Sequence, residues 1–370
     1  MLHGRGLAAV AIGAAAAGSA ASRSLADIDP MSGLDFVRVS AVGNAPWMGT
    51  NPPMLPGQDR AIGRGQVNYE YHIGKFEVTT AQWTEFFNAA MDRPLNDRLP
   101  WISPPTFWGA APMTATVPGG QRWTVPAGNE MRPVGNISWR MAAMYCNWLH
   151  NGKSTDRSAF MNGAYDVSQF GGTTDFTDQL THNAGALYWI PTWDEWLKAA
   201  HYDPNRGGPG QGGWWEYSNR SNTQLVAGPP GAGQANFGWR DAANSQWTVL
   251  LGAYPDTTSP WGLLDVAGGT AEWTEGVLSF QGSRWRMYDG SSWGSTIGDG
   301  ISDAIFAASG SDIPSIDFLN LGVRIASTVP TPPQSAFVLI GSLSLLARRR
   351  RRRYEAAGLS GGVGCRGSVH

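Results

Sequence analysis

The chain has 370 residues, with 27 basic and 29 acidic side chains for a net charge of −2. Six of the cations form one run, Arg348–Arg353; the remaining 21 basic residues face 29 acidic ones, so the body lacks the spread positive surface that nucleic-acid binding needs. Aromatics at 11%, 18 of them or fewer per type but led by 18 Trp, against only 15% charged residues exclude a disordered chain, a helical bundle and a coiled coil, and 48 Gly with 24 Pro point to a loop-rich domain.

Residues 1–26 read as a secretory signal peptide. His3 and Arg5 precede the apolar stretch Leu7–Ala17, and small residues up to Ala26 offer cleavage. The body runs from Asp35 to Ser327 without an internal repeat. Its first regular segment, Tyr71–Val78, reads as a strand. Thr79 then caps a helix, with Gln82 three residues on as a capping box and Val78 and Trp83 at the positions of a hydrophobic staple. Trp83, Phe86 and Phe87 make its apolar face. A second helix starts at Ser138, with Ala142, Tyr145, Cys146 and Leu149 on one face. A third is capped by Thr192 with Glu195 three on, and its face is Trp193, Trp196, Leu197 and Ala200. Beyond Tyr202 the sequence reads as short strands and loops punctuated by Gly, Pro and Asn. Few helices and many short strands make an α+β domain.

After the body, Val329–Pro333 is an extended spacer, and Ser335–Ala347 carries no charge. Those 13 residues fall short of the roughly 20 that span a bilayer, so the arginines at 348–353 can lengthen the segment only by snorkelling and hold its end cytoplasmic. Residues 354–370 are expected to be a disordered tail. The spacer, apolar stretch and arginine cluster, segment 328–353, resemble a PEP-CTERM sorting signal of Gram-negative bacteria, with Thr331 in place of the usual Glu. The resemblance implies export, membrane contact through the tail, an exosortase-like processing partner and an envelope or extracellular destination.

Two cysteines, Cys146 and Cys365, exclude a disulfide framework and a cysteine-rich zinc site, and the six His are scattered without metal-ligand spacing. Gly290–Gly294 has the form G-x-S-x-G of a hydrolase nucleophile elbow. That motif needs a strand–turn–helix and a later His, and the only later one is His370 in the tail. Trp214, Trp215, Trp239, Trp247, Trp285 and Trp293 sit in Gly-rich loop sequence, where aromatics either fill a helix-poor core or stack on a sugar or peptide.

Across 35–327, motifs in a fixed order resemble the sulfatase-modifying-factor family, which includes the formylglycine-generating enzyme. They are Asp35–Val39 with Trp47–Gly49, Tyr71–Thr79, Arg132–Val134 with Ser138–Trp139 and Tyr145–Trp148, Ile190–Trp196, Trp261–Thr274, Asp289–Trp293 and Asn320–Arg324. The resemblance implies a C-type-lectin-like α+β fold and copper-dependent oxidation of a substrate cysteine. The family's two copper-binding cysteines fall on Ser295 and Gly300, so copper is not expected and no catalytic residue is assigned. A cuprous ion prefers thiolates. The resemblance also implies structural calcium held by Asp265, Gly268, Thr270 and Glu272, and a second calcium site at Asn236 and Phe237. The chain is therefore expected to be an exported binding or structural module with a peptide or polysaccharide ligand. A divergent protein-modifying oxidoreductase and a lectin-like adhesin are the alternatives.

Overall fold

The computed structural model describes residues 28–49, 59–117, 120–239, 246–295, 303–307, 310–317 and 320–328. The segment 1–26 expected to be a signal, all but Thr328 of the expected sorting segment 328–353, residues 354–370 and Gly300 lie outside them. Among the described residues no helix is long and apolar enough to cross a membrane.

The helix starts follow the sequence. Helix α1, Thr80–Met91, has Thr79 as its N-cap, and the reciprocal Gln82 bonds complete the capping box. Its buried face holds Trp83, Phe86, Phe87 and Ala90. Helix α2, Trp139–His150, starts where the Ser138 hydroxyl accepts the Met141 N–H. Its burial is wider than one face: every residue from Trp139 to Leu149 is buried. The second side is covered by a short helix α3, Arg157–Met161, and by the loop that follows, into which Arg140 reaches. Arg140 grips Asp178 through two bonds of 2.8 Å and caps the carbonyls of Gly171 and Gly172, so a charged residue can sit in the middle of the core. Helix α4, Trp193–His201, carries the capping box of Thr192 and Glu195.

Strand β1, Phe36–Val39, pairs antiparallel with β2, Tyr71–Gly74. The last strand of the described domain, Ala326–Ser327, lies between β2 and the short strand Tyr188–Trp189, closing a four-stranded sheet. Strand β2 stops at Gly74 rather than running to Val78. The carbonyls of Gly74 and Lys75 turn to the guanidinium of Arg324 instead of a neighbouring strand, and the Val78 N–H goes to Val323. The second sheet was not expected from the sequence. Two long strands, Ala271–Phe280 and Ser283–Asp289, form a hairpin, flanked by Gly310–Asp312 and, in parallel, by Leu321–Gly322. Gln281 and Gly282 both have positive φ (51° and 82°), as a two-residue hairpin turn of matching twist requires.

Arg324 ties these pieces together. It is fully buried and donates to the Glu272 carboxylate at 2.8 to 3.2 Å and to the carbonyls of Gly74, Lys75 and Leu264. Trp196 of α4 donates to the same carboxylate at 2.7 Å. Gly322 precedes it in a place where a Cβ would lie 2.2 Å from the Thr270 hydroxyl, so only glycine lets this strand approach. Replacing Arg324 with Met would leave Glu272 buried and unpaired and is expected to lower the unfolding free energy by about 3–5 kcal/mol, read by urea denaturation. The pair between Lys153 and Glu85 is much more exposed, at 21% and 55%, and Lys153→Met is expected to change stability by only about 0–1 kcal/mol in the same assay.

Candidate functional site

The loop after Asp289 is built by backbone and hydroxyl bonds. Ser291 donates its hydroxyl to Asp303 at 2.8 Å and its N–H to the same carboxylate at 2.7 Å, while its oxygen accepts the Gly268 N–H. The Trp293 N–H binds the Gly269 carbonyl, and its ring lies against Gly135, where a Cβ would come within 2.2 Å of it. Ser295 closes the turn. Its hydroxyl accepts the Ser292 N–H at 3.0 Å, and its own N–H returns to the Ser292 carbonyl. The G-x-S-x-G sequence thus runs from a strand into a turn at Trp293–Ser295, and Ser292 faces Ser295 and Asn320 rather than a histidine.

Beside this turn stands an aromatic wall. Phe107 packs edge-on to Trp293 at 5.3 Å and near Trp247 at 6.1 Å, and Arg132 stacks over Trp247 at 5.2 Å. Around the wall Arg132 Nε, Asn136 Oδ1, Asn236 Oδ1 and Gln246 Nε2 are buried without a hydrogen-bond partner. Orphaned buried polar atoms are uncommon, and these four belong to residues in or next to the aromatic wall. Of the six tryptophans in loop sequence, Trp293 is buried and the others are half-buried. They serve packing first: Trp214 fills the space over Gly65 against Tyr202, and Arg206 stacks on Trp215.

The expected calcium ligands are brought together in part. Asn236 forms a bridge with Gly268, so the two proposed sets adjoin. Asp265 adopts a left-handed backbone conformation and accepts the Gly252 N–H; its pKa is pushed up to about 6, chiefly by burial. Glu272 is engaged by other groups: Arg324 and Trp196 both donate to its carboxylate, which makes it the arginine's partner. Among the described residues no group of three or more His, Cys, Asp and Glu side chains is arranged to hold a metal ion. Cys146 is fully buried in α2, and burial first, then the Glu275 charge, push its thiol well above the usual range.

Three carboxyl groups were given no role by the sequence. Glu77 takes the Thr270 N–H at 2.9 Å and hydroxyl at 2.6 Å; burial and the Glu272 charge push it well above the carboxylate range. Asp289 accepts the Trp193 indole N–H at 2.7 Å, and Asp303 holds Ser291. Burial raises both to about 7, against their hydrogen bonds. Their partners lie far along the chain, 193 residues away for Glu77 and Thr270, so no local pattern announces them. An aspartate whose folded pKa exceeds its unfolded value of 3.8 supports the fold in its protonated form, and that support is lost as pH rises through 7. Asp303→Asn is neutral at every pH, so the variant is expected to gain stability relative to the native chain between pH 5 and pH 8. Paired urea titrations measure the difference; a constant offset would contradict the assignment.

Comparison with known proteins supplies the context. Three solved structures are similar to the chain: CarF, at 18% identity and a TM-score of 0.46, covering 80% of this chain and 99% of that one; Treponema denticola variable protein 1, at 18% and 0.44, covering 80% and 95%; and PvdO from Pseudomonas aeruginosa, at 14% and 0.42, covering 82% and 97%. No curated protein sequence matches the chain. Residues 46–329 match the sulfatase-modifying factor enzyme 1-like domain, and the chain belongs to that family.

Proposed function

We propose that this chain is a binding module of its family rather than a copper-dependent oxidase. The observation that carries the reading is the Ser292–Ser295 turn. Where the family resemblance calls for a thiolate, a serine hydroxyl is tied to a backbone N–H. The chain's two thiols are Cys146, sealed in α2, and Cys365, beyond the arginine run. A hard hydroxyl is a poor substitute for thiolate at a cuprous ion. The aromatic wall of Phe107, Trp247 and Trp293, with the orphaned atoms of Arg132, Asn136 and Gln246 beside it, supplies a surface that can stack on and hydrogen-bond a peptide or polysaccharide. The leader at 1–26 and the tail at 328–353 fit display of this module at the envelope after exosortase-like processing.

Two measurements test the reading. With copper, reductant, oxygen and a cysteine-bearing sulfatase peptide, the peptide mass is expected to stay unchanged; aldehyde formation would overturn it. On peptide and glycan arrays the chain is expected to give hits that Trp247→Ala loses, and an empty array counts against the binding surface.

The reading includes a structural calcium ion. Asn236 Oδ1, buried without a donor beside Gly268, fits a hard cation, as do the Asp265 carboxylate and the carbonyls of Phe237, Gly268 and Thr270. The ion would supply no chemistry, only a tie between two loops. Chelation is expected to lower the melting temperature by roughly 5 °C, as loss of a ligand held well above its dissociation constant does. Asn236→Ala is expected to abolish that response, and an unchanged melt of the native chain would remove calcium from the reading.

A further inference from the structure

A second cleft, of about 490 Å³, opens between the start of α4 and the long hairpin. It stands apart from the Ser292–Ser295 turn and shares no lining residue with the aromatic wall. Leu180, Val277 and Leu278 give it an apolar side. Exposure grades along it. Arg60 is exposed, and Arg64 with its partner Asp194, 2.8 Å away, is 41% and 31% exposed, whereas the Glu275 side chain is only 2% exposed. Charge therefore runs from a cationic mouth to an anionic depth.

Glu275 is the unexplained group. Its Oε1 accepts the Tyr165 hydroxyl at 2.6 Å and the His182 N–H at 2.7 Å, and lies 3.0 Å from His182 Nδ1. Its Oε2 is buried with no hydrogen-bond partner. The nearby Arg286 balances part of its charge but makes no hydrogen bond to it: the guanidinium donates to the backbone carbonyls of Leu180, Gln179 and Glu275, and its Nε is itself buried without a partner. A buried carboxylate with one bare oxygen is expensive to keep unless something occupies it.

We propose that this cleft is a binding site for a small zwitterion with an ammonium group at one end of an aliphatic stem and a carboxylate at the other. The ammonium donates to Glu275 Oε2, reached by a small rotation of the carboxyl group. The stem lies along Leu180, Val277 and Leu278, and the carboxylate meets Arg60 at the mouth. An ω-amino acid or a C-terminal lysine has this chemistry. The site does not depend on the aromatic wall or on the proposed binding function there.

Calorimetric titration of the full chain with 6-aminohexanoate, hexylamine and hexanoate tests it. The amino acid is expected to bind at least about tenfold more tightly than hexanoate, the loss that follows removal of a charge-assisted hydrogen bond, and several-fold more tightly than hexylamine. Glu275→Gln is expected to reduce binding about tenfold while the melting profile stays cooperative. If that variant does not fold, Leu278→Trp, which fills the path of the stem and leaves Glu275 in place, is expected to block binding. Equal binding of all three probes, no binding of 6-aminohexanoate, or undiminished binding by either folded variant would overturn the proposal.

Discussion

A single guanidinium organises the domain. Arg324 reaches from the last motif of the body to the end of β2, to the loop before the hairpin and to the Glu272 carboxylate that α4 also grasps through Trp196. Each of these segments is short or irregular and has little regular structure to hold it. An unpaired buried charge is far more costly than a broken surface pair, so the arrangement tolerates no partial version of itself. The irregular path after Gly74, the obligatory glycine at 322 and the position of α4 all follow from satisfying this one group.

The same constraint explains what could be read in advance. Helix starts are local: a Thr or Ser, a Gln or Glu three residues on and an apolar stripe suffice, and α1, α2 and α4 begin at those places. The strand expected to reach Val78 stops at Gly74 because its alternation is local but its carbonyls are claimed by a residue some 250 positions away. The hairpin 271–289 was hidden for the opposite reason. Its first half, Glu272 to Glu275, carries two acids that a water-facing strand would also carry, yet both are buried. Their partners, Arg324 for one and Tyr165 with His182 for the other, belong to distant segments.

The candidate site divides in the same way. Motif order named Asn236 and Gly268 for two separate calcium sites and Ser295 for a copper position; in the fold Asn236 bridges Gly268, and the Gly238 N–H reaches the Ser295 carbonyl. Motif order named Glu272 a calcium ligand and gave no sign of its tie to Arg324. Glu77 and Asp289 both feel the Glu272 charge, and Asp303 feels Asp289, so a run of buried acids extends from the Arg324–Glu272 pair. Runs of this kind arise when a loop-rich core must hold its turns with side chains: each carboxyl group receives N–H or O–H donors that no sheet would satisfy.

The strand that completes the first sheet, Ala326–Ser327, is made last and ends up between two strands made long before it. A nascent chain that has synthesised every residue up to Asn320 still lacks the middle of that sheet and the arginine at its centre. Folding of the domain therefore waits for the end of its own synthesis, and sequence-distant contacts of this kind also make the search slow. The delay leaves the partly made polypeptide extended during elongation, with its apolar residues not yet sealed into a core.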